Sequence, residues 1–390
     1  MEILVVSHKY PPSIGGMQKQ CYELVEGLKR NHTVHTLIHK DGTSKFMFLL
    51  RSSFEARALL ANKKIGLIYA NDGLMAFFLT PLFWMTKVPI AVTAHGLDVV
   101  FPLKIYQRWL RKYFNKCKAV IAVSDGTTEE LQKRDLEPDR VFTVRNGFDP
   151  DFRPPDIDFG FRHRLEKRLG IDLTGKKLMV SIGRSVQRKG FSWMIREVLP
   201  QLPDNVVYVI IGPTLGSYDK VEKMQRSLPK SLFNTLVLLE GMPLDEIAVH
   251  HSIQELGFAD RVFHITDMSN EEVASTLAES DLFVMPNIRV DGDYEGFGLV
   301  ALESVSAGTL CVASKVDGIP SAITEDKNGI LLPPGDVQAW TDRLKALLSD
   351  DTTRTQLAKK YREYTMTHVS SWRSMADEYE KVFEKVLSKA

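Results

Sequence analysis

The sequence predicts an α/β protein made of two successive doubly wound domains, each with a parallel sheet covered by helices on both faces. Three observations predict this fold. Short apolar runs rich in β-branched residues alternate with longer amphipathic stretches, which is the rhythm of β-α-β units. A segment rich in Pro and Asp, residues 148–158, interrupts that rhythm, which then begins again. A chain of 390 residues is also longer than a single core usually grows.

The strand candidates form one series before the interruption and one after it. They are residues 3–6, 34–38, 90–93 and 120–123 in the first series, and 178–182, 206–211, 261–265, 282–285 and 310–313 in the second. Continuous apolar strands are typical of a buried parallel sheet. We therefore predict one domain over residues 1–155 and a second over 156–370. Doubly wound sheets bind ligands at the carboxyl ends of their strands, so we expect the active site in an interdomain cleft.

The last predicted element is an amphipathic helix in residues 371–390. Apolar side chains recur there at helical spacing: Trp372, Met375, Tyr379, Val382, Phe383 and Val386. We expect this helix to pack its apolar face on another part of the protein.

Composition excludes several classes of protein. Hydrophobic residues at 44% and charged residues at 25% are typical of soluble globular domains, not of disordered or fibrous chains. Cys21, Cys117 and Cys311 are odd in number and widely spaced, which fits neither a disulfide framework nor a zinc-ligand spacing. Residues 1–7 lack the basic start of a signal peptide, and the longest apolar stretch is too short to cross a bilayer. We expect a cytoplasmic protein.

Charge is unevenly distributed along the chain. Residues 1–155 carry 22 Lys and Arg against 15 Asp and Glu, whereas the remainder carries 28 against 34. A basic N-terminal half can face an anionic partner such as a membrane surface or a phosphorylated acceptor.

Residues 101–118 contain cations and no acid, interleaved with Tyr106, Trp109, Tyr113 and Phe114. The cations are Lys104, Arg108, Arg111, Lys112, Lys116 and Lys118. This pattern predicts a basic amphipathic helix that can lie on anionic lipid with its aromatic rings at the headgroup level. The alternative is that the rings belong to the core and the cations are simply solvated. Residues 45–64 form a second basic candidate of the same kind.

The segment from Gly183 to Gly190 follows a predicted strand and opens a predicted helix. Arg184 offers a bidentate fork and Lys189 a point charge, and together they can neutralise a departing nucleotide diphosphate. The spacing is not that of a Walker A loop. The alternative is a solvated basic turn.

Two glycine-containing turns are candidates for binding anions or sugars. Gly15 and Gly16 follow the first strand and let backbone amides approach a ligand closely, although they can also serve only as a tight turn. The segment from Glu295 to Glu303 leads into a helix whose first N–H groups, at Phe297, Gly298 and Leu299, can hold phosphate or sugar oxygens. Its carboxylates can accept hydrogen bonds from sugar hydroxyls, or can be capping or surface residues.

His95 and an acidic turn complete the candidates. His95 follows the strand at 90–93, where an imidazole can bond a sugar hydroxyl or serve as a structural residue. The sequence Asp291-Gly292-Asp293 permits a divalent cation, but Asp-Gly is common turn chemistry. Because Arg184 and Lys189 already supply positive charge, we favour the turn and expect no metal.

Taken together, the motifs closely resemble those of the retaining GT-B glycosyltransferases of family 4 (glycosyl transferases group 1), which include glycogen synthase-like and phosphatidylinositol mannosyltransferase-like enzymes. The resemblance rests on Pro-Pro-x-x-Gly-Gly at 11–16, Asn-Gly-Phe-Asp at 146–149, Gly-Arg…Lys-Gly at 183–190 and Glu-x7-Glu at 295–303. It implies the GT-B fold, in which two Rossmann-like domains border a cleft and the last helix returns to the first domain.

The resemblance also implies roles for the residues. Arg184 and Lys189 would bind the donor diphosphate, Glu303 the ribose hydroxyls and Glu295 the transferred sugar, near His95. Gly15, Gly16, Gly183 and the backbone from Phe297 to Leu299 would contact the donor, and Gly15 and Gly16 the acceptor as well. Such enzymes generally need no metal or cofactor for the chemical step, and they keep the anomeric configuration by front-face attack.

This sequence departs from the family pattern in two places. Asp317-Gly318-Ile319-Pro320-Ser321 stands where the family often has Gly-Gly-x-Pro-Glu. Residues 213–243, with a strand-like run at 236–239, replace a short glycine loop near the expected base-binding side.

The function predicted from the sequence is transfer of a hexosyl unit from a UDP- or GDP-linked sugar to a hydroxyl of a lipid-linked or glycan acceptor. We expect this reaction in cell-surface polysaccharide or glycolipid synthesis, at an anionic membrane surface and without nucleic acid. The alternatives are a sugar-nucleotide epimerase or phosphorylase on the same fold, or a non-catalytic nucleotide-sugar binder.

Overall fold

A computed structural model describes residues 1–40, 42–152, 160–216 and 218–388. The strands in these ranges are β1 (Glu2–Ser7), β2 (Thr33–Ile38), β3 (Ile65–Ala70), β4 (Ile90–Ala94), β5 (Ala119–Ala122), β6 (Val141–Thr143), β7 (Lys177–Ile182), β8 (Val206–Ile211), β9 (Val262–Ile265), β10 (Leu282–Met285), β11 (Cys311–Ser314) and β12 (Ile330–Leu332).

The helices in the same ranges are α1 (Gly16–Leu28), α2 (Lys45–Asn62), α3 (Gly73–Phe78), α4 (Leu82–Met85), α5 (Leu97–Val100), α6 (Lys104–Phe114), α7 (Asp125–Gln132), α8 (Phe161–Leu169), α9 (Phe191–Trp193), α10 (Tyr218–Ser227), α11 (Lys230–Glu240), α12 (Asp245–Leu256), α13 (Asn270–Ala278), α14 (Leu299–Ala307), α15 (Ile319–Ala322), α16 (Val337–Ser349), α17 (Asp351–His368) and α18 (Trp372–Leu387). Helix α9 continues into a π-helical turn at Met194–Val198.

The chain divides into two compact units. Unit 1 consists of Met1–Phe148, Tyr294–Phe297 and Ser370–Ala390, and unit 2 of Asp149–Asp293 and Gly298–Val369. The boundary predicted between residues 155 and 156 lies outside the described residues. The segment Tyr294–Phe297, which the sequence assigns to the second domain, belongs instead to unit 1, because it packs on the loop that follows β4.

Unit 1 contains a six-stranded parallel sheet in the order β2-β1-β3-β4-β5-β6. Its central strands are continuously apolar and buried, as the sequence predicted for a sheet covered on both faces. The connections reverse direction between β1 and β3, so the loops that follow these two strands diverge at the topological switch point.

Unit 2 contains a second six-stranded parallel sheet, in the order β12-β11-β10-β7-β8-β9. Counted from β7, this is the 3-2-1-4-5-6 order typical of dinucleotide-binding domains, with its switch point between β7 and β10. The predicted α/β class with two doubly wound sheets is therefore confirmed.

The sequence missed β3, β6 and β12. Strand β3 contains Gly66, which weakens its strand signal, and the other two are three residues long. The strand predicted at residues 236–239 was wrong, because these residues lie in α11. That helix is followed by Gly241 in the left-handed conformation. Short apolar runs do not distinguish a strand from a helix.

Helix α18 packs on unit 1. Ser371 caps it by accepting from the N–H of Ser374 at 3.2 Å, and all six predicted apolar side chains are buried. The amide of Gln20 in α1 donates to the hydroxyl of Tyr379 at 3.2 Å. Gly147 lies so close to the backbone of α18 that an added Cβ would stand 2.5 Å from the nitrogen of Trp372. The Asn-Gly-Phe-Asp motif thus provides room for the returning chain.

No helix within the described ranges is both long enough and apolar enough to cross a membrane.

Candidate functional site

The candidate residues fall into two loop clusters, one at the strand ends of each sheet. The N cluster comprises the loops that follow β1, β3 and β4 together with Tyr294–Phe297. The C cluster comprises the loops that follow β7, β8 and β10 together with the start of α14. Each cluster includes its sheet's switch point, where ligands bind in open α/β sheets.

An ion pair joins the two loops at the switch point of unit 1. His8 follows β1 and Asp72 follows β3, and Nδ1 of the histidine lies 3.2 Å from Oδ2 of the aspartate, with both side chains buried. Asp72 also caps α3 by accepting from the N–H of Met75 at 2.8 Å. Burial alone would raise the pKa of Asp72, but the nearby His8 and the hydrogen bond from the N–H of Met75 outweigh it and lower that pKa to about 2.

The orientation of His95 is fixed by the backbone around it. Its Nε2 lies 2.8 Å from the carbonyl oxygen of Asn71 and must donate to it, so in the neutral ring Nδ1 carries the lone pair. The carboxylate of Asp98 accepts from the N–H groups of His95 at 2.8 Å and Gly73 at 2.9 Å. Burial raises the pKa of Asp98, although the nearby His95 opposes the shift.

Sequence reasoning missed Asp98. The available signal was its position three residues after His95, at the beginning of a helical turn, where aspartate often accepts backbone N–H groups.

Glu295 is held beside the loop that carries His95. Gly296 lies against that loop, since an added Cβ would stand 2.1 Å from the carbonyl oxygen of His95. Tyr294 is buried against Gly96, which has φ +98° and no room for a side chain. About two hundred residues separate these partners in the chain, so no local pattern could have joined them. Glu295 itself is half-buried.

Gly15 and Gly16 are exposed at the beginning of α1. Gly15 precedes the helix and Gly16 is its first residue, and no side chain among the described residues caps this start. The N–H groups of the first turn therefore remain open to a ligand. Gly15 allows close packing of the turn, because an added Cβ would lie 2.6 Å from Oε1 of Gln18.

In the C cluster, the side chain of Lys189 lies over Gly183. A Cβ at Gly183 would stand 3.2 Å from Cε of Lys189, and that lysine is almost fully buried. Gly212, which follows β8, in turn lies directly against the carbonyl oxygen of Gly183. These close approaches hold an ammonium group near the carboxyl end of β7.

Arg184 is exposed and contacts the region that replaces the family's short glycine loop. Its Nη1 donates to the carbonyl oxygen of Gly241 at 2.9 Å, just after the end of α11. Residues 213–243, which replace the glycine loop, therefore contact one of the two cations predicted to bind the diphosphate.

The loops that follow β7 and β10 are tied together at the switch point of unit 2. Gly190, with φ +67°, lies against the carbonyl oxygen of Pro286, and Nη1 of Arg188 pairs with Oδ1 of Asp293 at 2.9 Å. The N–H of Asp293 closes a turn onto Val290 at 3.1 Å, with Gly292 at φ +78°. One carboxylate of the acidic turn thus serves an ion pair with Arg188.

The first turn of α14 carries the remaining donor candidates. Phe297 is buried in unit 1, Gly298 has φ +93° and precedes the helix, and Leu299 is its first residue. Glu303 lies one helical turn further along and is half-buried. Unit 2 therefore holds Arg184, Lys189 and Glu303, whereas Glu295 and His95 belong to unit 1.

The basic segment at 101–118 contains the predicted helix, α6, but its rings do not face outward. Trp109 and Phe114 belong to the core of unit 1, and Tyr106 and Tyr113 pack against that core. The predicted membrane-facing arrangement of these rings is therefore wrong, because the rings form part of the core of unit 1 or pack against it. Four of the six predicted cations lie in α6, and all four are exposed: Lys104, Arg108, Arg111 and Lys112.

Helix α2 instead exposes large apolar side chains. Phe46 is 63% exposed, Leu50 45% and Phe54 66%, at successive turns of one face, with Arg51 and Arg57 also exposed. The buried face carries Leu49, Ser52, Ser53 and Ala56. In the sequence, the signal for this stripe was the i, i+4, i+8 spacing of its three residues.

Two family profiles match the chain. The profile of glycosyl transferases group 1 matches residues 163–364, and that of glycosyltransferase family 4 matches residues 14–152. The chain is 27% identical to the D-inositol 3-phosphate glycosyltransferase of Corynebacterium glutamicum (strain R), over 86% of this chain and 75% of the relative. It is 26% identical to the alpha-maltose-1-phosphate synthase of Mycolicibacterium smegmatis, over 99% and 100% respectively.

Solved structures share the fold across almost the whole chain. The sucrose-phosphate synthase of Thermosynechococcus elongatus has a TM-score of 0.78 at 18% identity, covering 100% of both chains. Anabaena HepE in complex with UDP-glucose has a TM-score of 0.75 at 16% identity, covering 99% of this chain and 100% of that one. The architecture is thus shared with the GT-B glycosyltransferases.

Proposed function

The chain belongs to the glycosyl transferases of group 1, and from this premise we propose that it moves a hexosyl unit from a UDP- or GDP-linked sugar to a hydroxyl acceptor with retention of configuration. Within the family we propose that it acts like the phosphatidylinositol mannosyltransferase-like members, in cell-surface polysaccharide or glycolipid synthesis. The donor proposal draws further support from the UDP-glucose complex of Anabaena HepE.

One observation carries this proposal: two cations lie at the carboxyl end of β7, beside the switch point of unit 2. Lys189 is held over Gly183 by burial, and Arg184 is anchored at Gly241. Preorganised positive charge stabilises the negative charge that develops on a departing diphosphate, typically by several kcal/mol, about 2.7 to 4 for one donor group. In this role Glu303 would accept hydrogen bonds from the ribose hydroxyls.

Unit 1 would supply the groups that face the transferred sugar. His95 is fixed through Asn71 and Asp98, and Glu295 is held beside it by Gly296. Rigid side chains of this kind orient a sugar without paying an ordering cost when the substrate arrives. Gly15 and Gly16 would contact the donor phosphate and the acceptor.

In the proposed reaction, the bond between the anomeric carbon and the diphosphate oxygen breaks and both electrons leave with the diphosphate. The acceptor oxygen forms its bond on the same face of the sugar, and its proton passes to an oxygen of the leaving phosphate. No side chain acts as a dedicated base, and Arg184 and Lys189 stabilise the leaving group. We propose no metal or cofactor for this step.

We further propose a cytoplasmic protein that meets a lipid-linked acceptor at the surface of an anionic membrane. Two features of unit 1 support this part: the exposed cations of α6 and the exposed apolar stripe Phe46, Leu50 and Phe54 of α2. Sedimentation with vesicles of phosphatidylserine and phosphatidylcholine at low salt tests it. Binding that weakens in Arg108→Gln/Lys112→Gln and in Phe54→Ser supports the proposal, and no sedimentation of the wild type removes it.

Thermal-shift measurements against UDP, GDP, ADP and their sugar conjugates test the donor site, since a ligand that binds only the folded state raises Tm by mass action. Stabilisation by one nucleotide identifies the base. A folded protein that no nucleotide stabilises contradicts the donor-site proposal. Product analysis of the stabilising sugar nucleotide without acceptor then separates a transferase, which leaves the donor sugar's stereochemistry intact, from an epimerase.

A further inference from the structure

A group of potential metal ligands lies in unit 2, apart from the residues proposed to bind the donor. Within the described ranges, Glu246, His250 and His264 are the one set of three such side chains whose ligand atoms all lie within 4.8 Å of one another. Glu246 and His250 stand one turn apart on α12, and His264 lies on β9. Oε1 of the glutamate is 3.6 Å from Nε2 of His250.

The hydrogen bonding of His264 suits it to coordinate a metal. Its Nε2 lies 3.1 Å from the carbonyl oxygen of Gly212, which can only accept, so the ring proton is on Nε2 and the lone pair is on Nδ1. Nδ1 is buried and has no hydrogen-bond partner among the residues described. An unsatisfied buried acceptor costs free energy, and a bound cation would remove that cost.

Glu246 is oriented by the backbone in the same manner. Its side chain is buried, and Oε2 accepts from the N–H of Leu215 at 2.6 Å, while Oε1 is the oxygen nearer His250. Metal-binding carboxylates and imidazoles usually have such an outer partner, which fixes the direction of the ligand atom. His250 is exposed, so solvent can reach the group.

We propose that Glu246, His250 and His264 bind a zinc ion, with solvent in the fourth position. Two imidazoles and one carboxylate suit Zn²⁺, whereas Mg²⁺ and Ca²⁺ prefer oxygen ligands alone. Zinc bonds to such ligands are about 2.0 to 2.2 Å long. The distances between the three ligand atoms therefore have to shorten by about 1 Å when the ion binds. The site is independent of the proposed sugar transfer.

The consequence for the protein is a cross-link between elements of unit 2. The ion would join α12 to β9 and, through the partners Gly212 and Leu215, secure the segment that follows β8. That segment begins residues 213–243, which replace the family's short glycine loop. Near the end of this region, Gly241 accepts a hydrogen bond from Arg184. We expect zinc to raise Tm, because it binds the folded state.

The test uses the untagged full-length chain after removal of metal with a chelator. Calorimetric titration with Zn²⁺ is expected to give one tight equivalent, and Co²⁺ to give the visible absorption of a four- or five-coordinate site that Zn²⁺ abolishes and excess Mg²⁺ leaves in place. Absence of saturable binding, displacement of Co²⁺ by Mg²⁺, or a six-coordinate Co²⁺ spectrum overturns the proposal.

Matched variants identify the ligands. His250→Ala removes an exposed ligand and His264→Gln a half-buried one, and each is expected to weaken zinc binding by about 100-fold or more. His251→Ala, the exposed histidine next in the chain, is the control and should bind as the wild type does. Wild-type affinity in His250→Ala overturns the assignment, and this variant keeps the test valid even if His264→Gln does not fold.

Discussion

Arg184 donates from Nη1 to the carbonyl oxygen of Gly241, 2.9 Å away, and so connects the loop that follows β7 to the end of α11. Gly241 has φ +60°, and an added Cβ would stand 2.1 Å from the same Nη1. The guanidinium is thus anchored by a residue 57 positions further along the chain. A cation positioned in this way is preorganised for an anionic ligand.

Replacing either proposed diphosphate-binding cation should reduce turnover with little effect on folding. We expect Arg184→Ala and Lys189→Met each to lower kcat by about 100- to 1,000-fold, because each removes charge that stabilises the leaving group. Initial rates with the donor identified by thermal shift measure the effect. Lys345→Ala, an exposed change on α16, is the matched control. Near wild-type rates in both cation variants would refute the proposed roles.

Adding a methyl group at Gly296 should impair catalysis through Glu295. The new Cβ would meet the carbonyl oxygen of His95 at 2.1 Å, so Tyr294–Phe297 has to move by about 1 Å, and such a displacement of a catalytic group can cost about 100-fold in rate. We expect Gly296→Ala to lower kcat accordingly. Gly66→Ala, whose Cβ meets only the Glu2 carbonyl oxygen at 3.8 Å, should retain activity. Equal rates for the two variants would mean that this contact does not position Glu295.

Gly190 and Gly170 separate steric contact from backbone conformation. Both have φ near +70°, but an added Cβ at Gly190 stands 2.1 Å from the carbonyl oxygen of Pro286, whereas at Gly170 nothing lies within 4 Å. We expect Gly170→Ala to lower the free energy of unfolding by about 1 kcal/mol, the cost of the left-handed conformation. Gly190→Ala should lower it by about 3 kcal/mol or more. Urea denaturation measures both, and equal losses would exclude the steric contribution.

The buried pair of Asp72 and His8 should make stability depend on acid pH. The folded pKa of Asp72, about 2, lies below the unfolded value, so its stabilisation is present above about pH 4 and is lost as pH falls towards 2. We expect Asp72→Asn to remove about 2 kcal/mol of that acid-dependent stability. Urea midpoints measured between pH 2 and 5 test this expectation. An Asp72→Asn variant that loses stability between pH 5 and pH 2 as steeply as the wild type does would contradict the role assigned to Asp72.

Local sequence was sufficient for the elements whose signal lies in consecutive residues. The strands β7 and β8 are continuous apolar runs, and α18 repeats its apolar residues with helical period. Each element could therefore be predicted from its own residues alone. The cations between Gly183 and Gly190 could likewise be identified from consecutive residues. The rings of α6 were ambiguous, because periodicity reveals an apolar face but not what covers it.

Contacts between residues that are distant in the chain could not be predicted from such local patterns. The close contacts of Gly296 with the His95 carbonyl oxygen and of Gly241 with Arg184 join loops that are remote in the chain. Only the ordering of the strands at each switch point brings these loops together. Glu246, His250 and His264 are similar, since α12 and β9 have to pack before their ligand atoms converge. The sequence by itself determined two doubly wound domains, the family and the residue types that can bind a diphosphate, because periodicity and motif spacing are local. Tertiary structure alone decided which unit holds Glu295, which faces are exposed and which side chains meet, because these depend on packing across the sheets.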